Sequence, residues 1–301
     1  MNLLMILCFS ILVLQKTPLI TKEFVSKLKS IATWEVEDYE NSIFKGWTLE
    51  EAKNMLSKHY ELPMADHQKS YNGSVIESQL PDNFDPRDKF GACIHPIRDQ
   101  GKCGSCWAFG MSEVLSDRFC IAKKDVILSP QVLVSCDKDN NACNGGYLSH
   151  AFNYATNSGL VLDSCFPYVS ANFYVPPCPT SCPGTGAWVT YKCAPGSVFE
   201  GQDNNFKMNE LYTNGPIENC FQLYQDFFSY KSGIYYHTTG GLVGGHCTKT
   251  LGWGIDSGTG LHYWLVANSW GTLWGMNGFF KIKQADCGID NWGYGCTPLI
   301  K

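Results

Sequence analysis

The sequence predicts an α+β fold in which helices precede strands in the main part of the chain. After Cys106, apolar residues recur with helical spacing as far as Phe119, and further helical patterns follow Ser129 and span residues 148–156. Beyond about Ser197 the sequence changes to short aromatic runs bounded by glycine, which are typical of strands. We therefore expect a helix that carries Cys106 to face the strands across a cleft.

Length and charge limit the possible functions. The chain has 301 residues, of which 44% are hydrophobic and 14% aromatic, enough for two lobes and an N-terminal extension. Its net charge of −5 is spread along the chain, without the block of Lys and Arg that nucleic acids or anionic membranes attract. We expect neither as a partner.

The N-terminus and the cysteine count indicate the secretory pathway. The chain contains 15 cysteines, which is typical of an oxidising compartment. Residues 3–14 form an apolar run of signal-peptide size, too short for a membrane span. We predict a signal peptide at residues 1–20, cleaved between about residues 15 and 21, and a lysosomal, vacuolar or extracellular destination.

Residues 21–79 differ from the rest because they are more charged, lack cysteine and favour helix. Thr48 and Glu51 have the spacing of a capping box and predict a helix that runs toward His59. The segment is either an ordinary helical subdomain or an inhibitory propeptide with a cleavable linker. The cysteine-rich part begins near Leu80, so the predicted units are residues 1–20, 21–79 and 80–301.

Cys106 is the candidate nucleophile. It follows a glycine-containing turn and begins an apolar helical stretch, and a helix N-terminus lowers the pKa of a thiol. The side-chain amide of Gln100 comes six residues earlier. That amide and the backbone N–H of Cys106 are candidate donors to a developing oxyanion.

His246 and Asn268 are the candidate partners of this thiol. They lie 140 and 162 residues downstream of Cys106, each within or beside a short apolar run that predicts a buried strand. The imidazole would hold the thiol proton, and the Asn268 amide would fix its tautomer and orientation. Trp270 would shield their hydrogen bond from water. Each residue alone has a structural explanation, but their joint occurrence in this order argues for chemistry.

Several motifs carry a resemblance to a known family. The run Cys103-Gly104-Ser105-Cys106-Trp107 resembles the local signature of the papain and cathepsin cysteine proteases. Four further motifs resemble the cathepsin B type: Ser116-Asp117-Arg118-Phe119-Cys120, Cys143-Asn144-Gly145-Gly146-Tyr147, Tyr224-Gln225-Asp226-Phe227 and Asn277-Gly278-Phe279-Phe280-Lys281-Ile282. The chain is thus similar, over essentially its whole length, to cathepsin B-like members of the papain superfamily.

The resemblance implies a two-lobed fold with a helical left lobe, a β-barrel-like right lobe and an N-terminal helical pro-segment. It implies a monomeric endopeptidase, made as a zymogen, which hydrolyses peptide and protein substrates through an acyl-enzyme without metal or organic cofactor. The pro-segment would lie along the cleft as an extended strand against Gly145 and Gly146. The implied substrate-binding residues are Gly145, Gly146, Cys220, Gly245, Cys247, Trp270 and Trp292.

The same resemblance implies a disulfide pattern. The implied pairs are Cys93–Cys120, Cys103–Cys143, Cys136–Cys178 and Cys165–Cys182. Without Cys8 and Cys106, an odd number of cysteines remains, so at least one is free or pairs outside the chain. These are Cys193, Cys220, Cys247, Cys287 and Cys296.

Two departures from the cathepsin B pattern concern specificity. Residues 165–182 lack most of the occluding loop and its histidines, so we expect an open endopeptidase cleft. In the implied S2 pocket, Trp292 replaces the acidic residue that can select arginine, and Cys220 and Cys247 replace small residues. We expect an apolar, partly filled pocket in which these are two small buried cysteines; a disulfide between them is the alternative.

Three other functions remain possible from sequence alone. The chain could be a papain-like binding protein without catalysis, or a transpeptidase or ligase on the same fold. A metal site is the weakest of the three, because Cys103 and Cys106 have Cys-x-x-Cys spacing without a second ligand pair. We therefore predict no metal.

Overall fold

The computed structural model describes residues 16–57 and 80–300, and within these ranges helices and strands confirm the α+β class. The apolar core of the predicted signal peptide and the linker from residue 58 to 79 lie outside the described residues. None of the helices in the described ranges has the length and apolarity that crossing a bilayer requires.

The N-terminal segment, residues 16–57, contains two helices and one short strand. Helix α1 (Lys22–Ile31) begins where the Thr21 hydroxyl accepts a hydrogen bond from the Phe24 N–H. Strand β1 (Glu35–Val36) pairs with a strand of the main body. Helix α2 (Leu49–Asn54) begins with both bonds of the predicted capping box. It ends at Asn54 and does not continue toward His59, so the predicted length of this helix is wrong.

The helical half of the main body, residues 86–157, surrounds one central helix. Helix α3 (Pro86–Phe90), helix α5 (Pro130–Cys136) and helix α6 (Leu148–Asn157) are short. Both α3 and α5 have proline in the first turn, where the missing N–H costs no hydrogen bond. Helices α5 and α6 pack against the central helix.

That central helix is α4 (Cys106–Ile121), in which every residue except Ile121 is buried. The helix is enclosed on all sides, so even its charged residues, Glu113, Asp117 and Arg118, are buried. Gly110 allows close contact with the sheet, because a Cβ there would lie 2.4 Å from Glu218 Oε1. Helix α4 is therefore the core element on which both halves pack.

The β half, residues 199–295, contains a seven-stranded sheet and helix α7 (Asn204–Asn214). The strands, in their order across the sheet, are β2 (Phe199–Glu200), β9 (Tyr294–Gly295), β3 (Ile217–Tyr224), β6 (Leu242–Ile255), β7 (His262–Ala267), β8 (Phe279–Lys283) and β5 (Ile234–Tyr235). All pairs are antiparallel except β5 with β8. Within the described ranges no pairing joins β5 to β2, so the sheet is open and the expected barrel-like lobe is not a closed barrel.

The N-terminal segment packs on the β half. Strand β1 pairs with β4 (Tyr230–Ser232), and Leu19, Trp34 and Phe44 are buried in the same apolar cluster as Trp270. The segment is thus an integral part of the folded chain.

Six disulfides connect the described cysteines. Four are the pairs that the resemblance implies: Cys93–Cys120, Cys103–Cys143, Cys136–Cys178 and Cys165–Cys182. The other two are Cys193–Cys296 and Cys220–Cys247. Cys106 and Cys287 are the free cysteines of the described residues. Cys103 is thereby consumed in a disulfide, which removes the alternative of a metal site with Cys106.

Buried ion pairs join α4 to β6. The Lys249 ammonium lies 2.8 Å from Asp117 Oδ2 and 3.7 Å from Glu113 Oε2, and all three side chains are buried. Burial raises the pKa of Glu113. Burial acts to lower the pKa of Lys249, but the attraction of Asp117 and Glu113 outweighs it and raises that pKa. Lys249 is therefore the positive charge that compensates two buried acids on one face of the helix.

We predict that Lys249→Met lowers the free energy of unfolding by about 3–5 kcal/mol, because the acids of α4 lose their buried counter-charge. Equilibrium unfolding in guanidinium chloride measures this effect. Lys231→Met, which removes an exposed lysine, is the matched control and should change stability by less than about 0.5 kcal/mol. Equal stabilities of the two variants would contradict the proposed compensation.

Candidate active site

Cys106 is the first residue of α4 and is fully buried. The loop before it contains Gly104, which allows the backbone of the N-terminal segment to pass closely. A Cβ at Gly104 would lie 2.6 Å from Leu56 O. The backbone N–H groups of Cys247, Trp107 and Ser57 lie near its sulfur and act to lower the pKa of the thiol. The thiol thus lies between the helical half, strand β6 and the N-terminal segment.

His246 and Asn268 meet on the β half. His246 lies on β6, and Asn268 directly follows β7, which pairs with β6. The His246 Nε2 and Asn268 Oδ1 atoms are 2.7 Å apart, and both side chains are buried. The other ring nitrogen, Nδ1, has no hydrogen-bond partner among the described residues. The imidazole is therefore oriented by Asn268 and retains one nitrogen for proton transfer.

Trp270 covers this pair. Its ring centroid lies 4.9 Å from that of His246. On its other contacts, Trp270 stacks on Phe228 and meets Phe44 of the N-terminal segment edge to face. Trp270 is itself buried, so its ring covers one side of the imidazole.

Gln100 is held so that its amide N–H groups point into the cleft. The Ser269 hydroxyl donates to Gln100 Oε1 at 2.6 Å, and the Gln100 backbone N–H donates to Ser269 O. Gln100 Nε2 then donates to Cys103 O at 2.9 Å and to Met55 O at 2.7 Å. A carbonyl oxygen of the N-terminal segment therefore occupies the donor that the sequence assigns to an oxyanion.

Residues Met55, Leu56 and Ser57 cross the cleft. Ser57 pairs with Gly245 as an antiparallel bridge, with its N–H 3.0 Å from Gly245 O. The Gly146 N–H donates to the Ser57 hydroxyl at 3.3 Å. Among the described residues, the backbone of the segment pairs with Gly245, and Gly146 contacts the Ser57 hydroxyl. The expected strand against Gly145 and Gly146 stays a prediction.

Burial under this segment changes the titration of the thiol and the imidazole. Burial raises the pKa of Cys106 to about 11, against the opposing effect of the backbone N–H groups around its sulfur. Burial lowers the pKa of His246 to about 4, although the bond to Asn268 acts to raise it. Near pH 7 the covered site therefore holds a neutral thiol and a neutral imidazole.

One acid-rich cluster elsewhere has the composition of a metal site. Ligand atoms of His95, Cys120 and Asp125 lie within 4.8 Å of one another. However, the Cys120 sulfur is bonded to Cys93, and the His95 ring already bridges Asp117 and Asp125. The cluster is an ion-pair network, and its acids raise the pKa of His95, with Asp117 contributing most.

Comparison with known proteins identifies the family of this chain. The sequence model of the papain family of cysteine proteases matches residues 80–295. The chain belongs to the papain family. The matched region contains Cys106, His246, Asn268 and Gln100, and it excludes the N-terminal segment.

Relatives place the chain among cathepsin B-like members of the papain family. It is 40% identical to "Cathepsin B-like CP3" of Giardia intestinalis over 254 residues, 82% of this chain and 84% of the relative. It is 37% identical to a gut-specific cysteine proteinase of Caenorhabditis elegans over 303 residues, 88% of this chain and 91% of the relative. The structure resembles procathepsin B S9 of Trypanosoma congolense, with a TM-score of 0.84, 31% identity and coverage of 94% of this chain and all of that one.

A second solved proform supports the same comparison. Procathepsin L2 of Tenebrio molitor matches with a TM-score of 0.71 and 27% identity, over 93% of this chain and 89% of that one. Both matched structures are proforms of papain-family proteases. The match extends over nearly all of this chain.

Three of the residues that the resemblance implies for the S2 pocket belong to one buried cluster. Cys220, Cys247 and Trp292 lie together with Cys106. Cys220 and Cys247 are directly opposite on β3 and β6 and form a disulfide, so the expectation of two separate cysteines is wrong. The register between β3 and β6 brings the two sulfurs together, and the local sequence pattern does not predict that register. Asp290 does not supply the missing acid, because the Trp264 indole donates to its Oδ1 at 2.5 Å.

Sequence reasoning missed three contributors to the site. Ser269 orients the Gln100 amide, the Cys247 N–H contacts the Cys106 sulfur, and the Tyr168 hydroxyl donates to Gln100 O at 2.8 Å. Only Ser269 carried a signal, because it directly follows Asn268. The other two depend on contacts between distant parts of the chain.

We predict that iodoacetamide alkylates Cys106 at least about a hundredfold more slowly at pH 7 in the intact chain than after the folded chain is cut between residues 58 and 79 and the N-terminal segment is removed. The covered thiol is protonated at pH 7. Removal of the segment exposes Cys106 and His246 to water, which favours the thiolate and the imidazolium. Mass spectrometry of the Cys106 peptide gives the rate.

The pH profile separates this effect from simple obstruction. In the intact chain the rate should rise steadily toward pH 11, whereas the cut chain should have a plateau between about pH 5 and 8. The Cys106→Ala chain controls for labelling of Cys287. Parallel profiles of the intact and cut chains would disprove the role of burial.

Proposed function

We propose that the chain is the latent precursor of a cysteine endopeptidase that hydrolyses peptide bonds through Cys106, His246 and Asn268. The observation that carries this proposal is the 2.7 Å contact between His246 and Asn268 beside the same cleft that holds a free thiol and the Gln100 amide. The N-terminal segment, residues 16–57, crosses that cleft and is the proposed inhibitor.

In the proposed mechanism, His246 Nδ1 takes the Cys106 proton and stabilises the thiolate, which attacks the scissile carbonyl carbon. Asn268 accepts from the Nε2–H and holds the tautomer that leaves Nδ1 available. The imidazolium then protonates the leaving amine, and an acyl-enzyme remains. Water, deprotonated by the same imidazole, attacks the acyl carbon and releases the carboxylate product and the thiol.

The proposed oxyanion donors are the Gln100 amide and the Cys106 backbone N–H. The Ser269 hydroxyl donates to the side-chain carbonyl oxygen of Gln100. This bond fixes the orientation of the Gln100 amide, so its Nε2 stays directed at the cleft. The Met55 carbonyl on this donor is the position that a substrate carbonyl would take. Gly146, Gly245, Cys220, Cys247, Trp270 and Trp292 remain the proposed substrate contacts, with Gly145 beside Gly146.

The units of the precursor remain proposals as well. We infer a signal peptide within residues 1–20, an inhibitory propeptide to residue 79 and a peptidase domain from residue 80. Leu19 and Ile20 of the N-terminal segment are buried in the core that this segment shares with the β half, which favours a signal cleavage nearer residue 15 than residue 20. The disulfides support passage through an oxidising compartment and a lysosomal, vacuolar or extracellular destination. That the protein is a monomer stays a prediction.

We expect Cys106→Ala and His246→Ala each to abolish hydrolysis of a fluorogenic peptide, with unfolding midpoints close to the parent chain. Asn268→Ala should lose less, because the ion pair survives while its orientation weakens. Full activity of Cys106→Ala would refute the nucleophile. Product analysis by mass spectrometry distinguishes a hydrolase from a ligase, since a ligase would join the acyl group to an added amine peptide in preference to water.

Acid should release the proposed propeptide. The Lys102 ammonium lies 3.1 Å from Glu51 Oε1 and joins the main body to α2. The Thr48 backbone N–H, Lys102 and the Thr48 hydroxyl together lower the pKa of Glu51 from 4.5 to about 2. Because the folded pKa is lowered, this contact stabilises fully above pH 4.5 and is lost as the pH falls toward 2.

We predict that the intact chain is inactive near neutral pH and processes itself in acid to a form that begins near Leu80. Lys102→Met should shorten the processing half-time several-fold at pH 5 and by a smaller factor at pH 3, where part of the stabilisation by this contact is lost. Gel analysis and N-terminal sequencing measure both. Lys53→Met, at an exposed lysine of α2, is the control, and equal half-times at pH 5 would contradict the role of the ion pair.

The processed enzyme should prefer apolar residues over arginine at P2 by about tenfold, because Trp292 adds bulk without charge. A free C-terminal carboxylate should give no advantage over an amide, since residues 165–182 contain no histidine. Two sets of fluorogenic peptides test this. Strong arginine preference would show that an acid reaches the pocket, and a gain from the free carboxylate would show an unidentified cation.

The disulfide offers a matched pair of variants for the pocket. Cys220→Ala with Cys247→Ala should broaden the P2 preference several-fold toward large side chains, because two sulfurs leave the pocket cluster. Cys93→Ala with Cys120→Ala removes a disulfide outside that cluster and should leave the P2 profile unchanged. Identical P2 profiles of the two double variants would show that the Cys220–Cys247 disulfide does not shape the pocket.

A further inference from the structure

Tyr168 connects the two elements that carry the proposed oxyanion donors. Its hydroxyl donates to the backbone carbonyl of Gln100 at 2.8 Å and lies 2.9 Å from Ser105 Oγ. Its ring packs edge to face on Phe109 of α4, with centroids 4.7 Å apart. Gln100 carries one donor, and Ser105 directly precedes Cys106, whose N–H is the other.

The segment that carries Tyr168 is held from both sides. The Cys165–Cys182 disulfide closes it, and buried Gln131 of α5 bonds its backbone and side chains. Val169 N–H donates to Gln131 Oε1 at 2.8 Å, and Gln131 Nε2 donates to Ser170 Oγ at 2.8 Å. The backbone next to Tyr168 is therefore anchored to α5 by bonds that do not involve the Tyr168 hydroxyl.

The same segment touches the Gln100 loop a second time. The Lys102 N–H donates to Ala171 O at 2.8 Å. Gly101 has φ +62°, and a Cβ there would lie 2.7 Å from Ala171 Cβ. The Gln100 loop is thus pressed between the segment on one side and Ser269 on the other.

We propose that Tyr168 is a positioning residue for the oxyanion site, which holds the Gln100 amide at a fixed place relative to the Ser105–Cys106 peptide. This proposal rests on the proposed function. Oxyanion stabilisation requires donors that are oriented before the charge develops, and small displacements of such donors are costly in rate. Burial raises the pKa of Tyr168, so its hydroxyl remains a neutral donor throughout the working pH range.

The shortened segment of residues 165–182 thereby gains a role. From the sequence, this segment is described only by the absence of the insert and the histidines of an occluding loop. In this structure it is the support that joins α5 to the Gln100 loop. Tyr168 does not touch substrate in this arrangement and acts through Gln100 and Ser105.

The test uses acid-processed enzyme and the variants Tyr168→Phe, Gln100→Ala and their combination. Three quantities are measured: kcat and KM, inhibition by a peptide aldehyde, and alkylation of Cys106 by iodoacetamide. The aldehyde forms a tetrahedral adduct with an oxyanion, whereas alkylation forms none. Tyr230→Phe is the control, because it removes another tyrosine hydroxyl that donates to a carbonyl, that of Gly233 at 2.6 Å.

Tyr168→Phe should lower kcat and aldehyde affinity together by about tenfold, the equivalent of one ordinary hydrogen bond, with KM and alkylation within about twofold. Gln100→Ala should lower both by about a hundredfold or more. The combined variant should resemble Gln100→Ala alone, because the two residues act as a unit. Tyr230→Phe should leave all three quantities unchanged.

The outcomes separate the two proposals. Normal kcat and aldehyde affinity in Tyr168→Phe, together with a large loss in Gln100→Ala, would overturn the role of Tyr168 and leave the proposed function intact. A fall in alkylation equal to the fall in kcat would show a merely structural role and also overturn it. No loss in Gln100→Ala would refute the oxyanion assignment itself.

If Tyr168→Phe fails to fold, Ser105→Ala provides a second test, because it removes the other partner of the Tyr168 hydroxyl. It should lower kcat and aldehyde affinity in the same way but to a smaller extent. Unchanged kcat and aldehyde affinity in Ser105→Ala would overturn the proposal.

Discussion

The packing of α4 against β6 is the constraint on which the rest of the structure depends. Cys106 begins the helix and His246 lies on the strand, so this packing sets the position of the thiol relative to the imidazole. Lys249, three residues after His246, compensates Asp117 and Glu113 of the helix in a buried site. Because a buried charge without its partner is costly, these pairs favour one relative position of helix and strand. Gly110 permits the close approach that this position requires.

The N-terminal segment uses the same cleft that this packing creates. Its backbone meets a series of glycines, Gly104 on the helical side and Gly244 and Gly245 on the strand side. Absent side chains at these positions leave room for an extended chain, whether propeptide or substrate. Covering the cleft also removes water, and burial alone is enough to favour the neutral forms of Cys106 and His246. By covering the cleft, the N-terminal segment thus both blocks access to Cys106 and suppresses the ionisation of Cys106 and His246.

Local sequence patterns predicted much of the site. The helix that begins at Cys106, the capping box at Thr48 and the strands beside His246 are local features, and the structure has all of them. The Cys220–Cys247 disulfide and the pairing of Ser57 with Gly245 depend on strand register between distant residues, which a local pattern does not contain. The end of α2 at Asn54 was missed for the same reason, since contacts of Met55 in the cleft replace the next helical turn.

The most direct test of this account is labelling of the acid-processed enzyme with a peptide epoxide, followed by peptide mapping. The described chain has two free thiols, Cys106 and Cys287, and burial raises the pKa of both in the covered form. If the packing of α4 on β6 gives Cys106 its imidazole partner, removal of the N-terminal segment should activate Cys106 alone. The account predicts one label per chain, on Cys106, and none in His246→Ala. Labelling of Cys287, or equal labelling of Cys106 without His246, would contradict it.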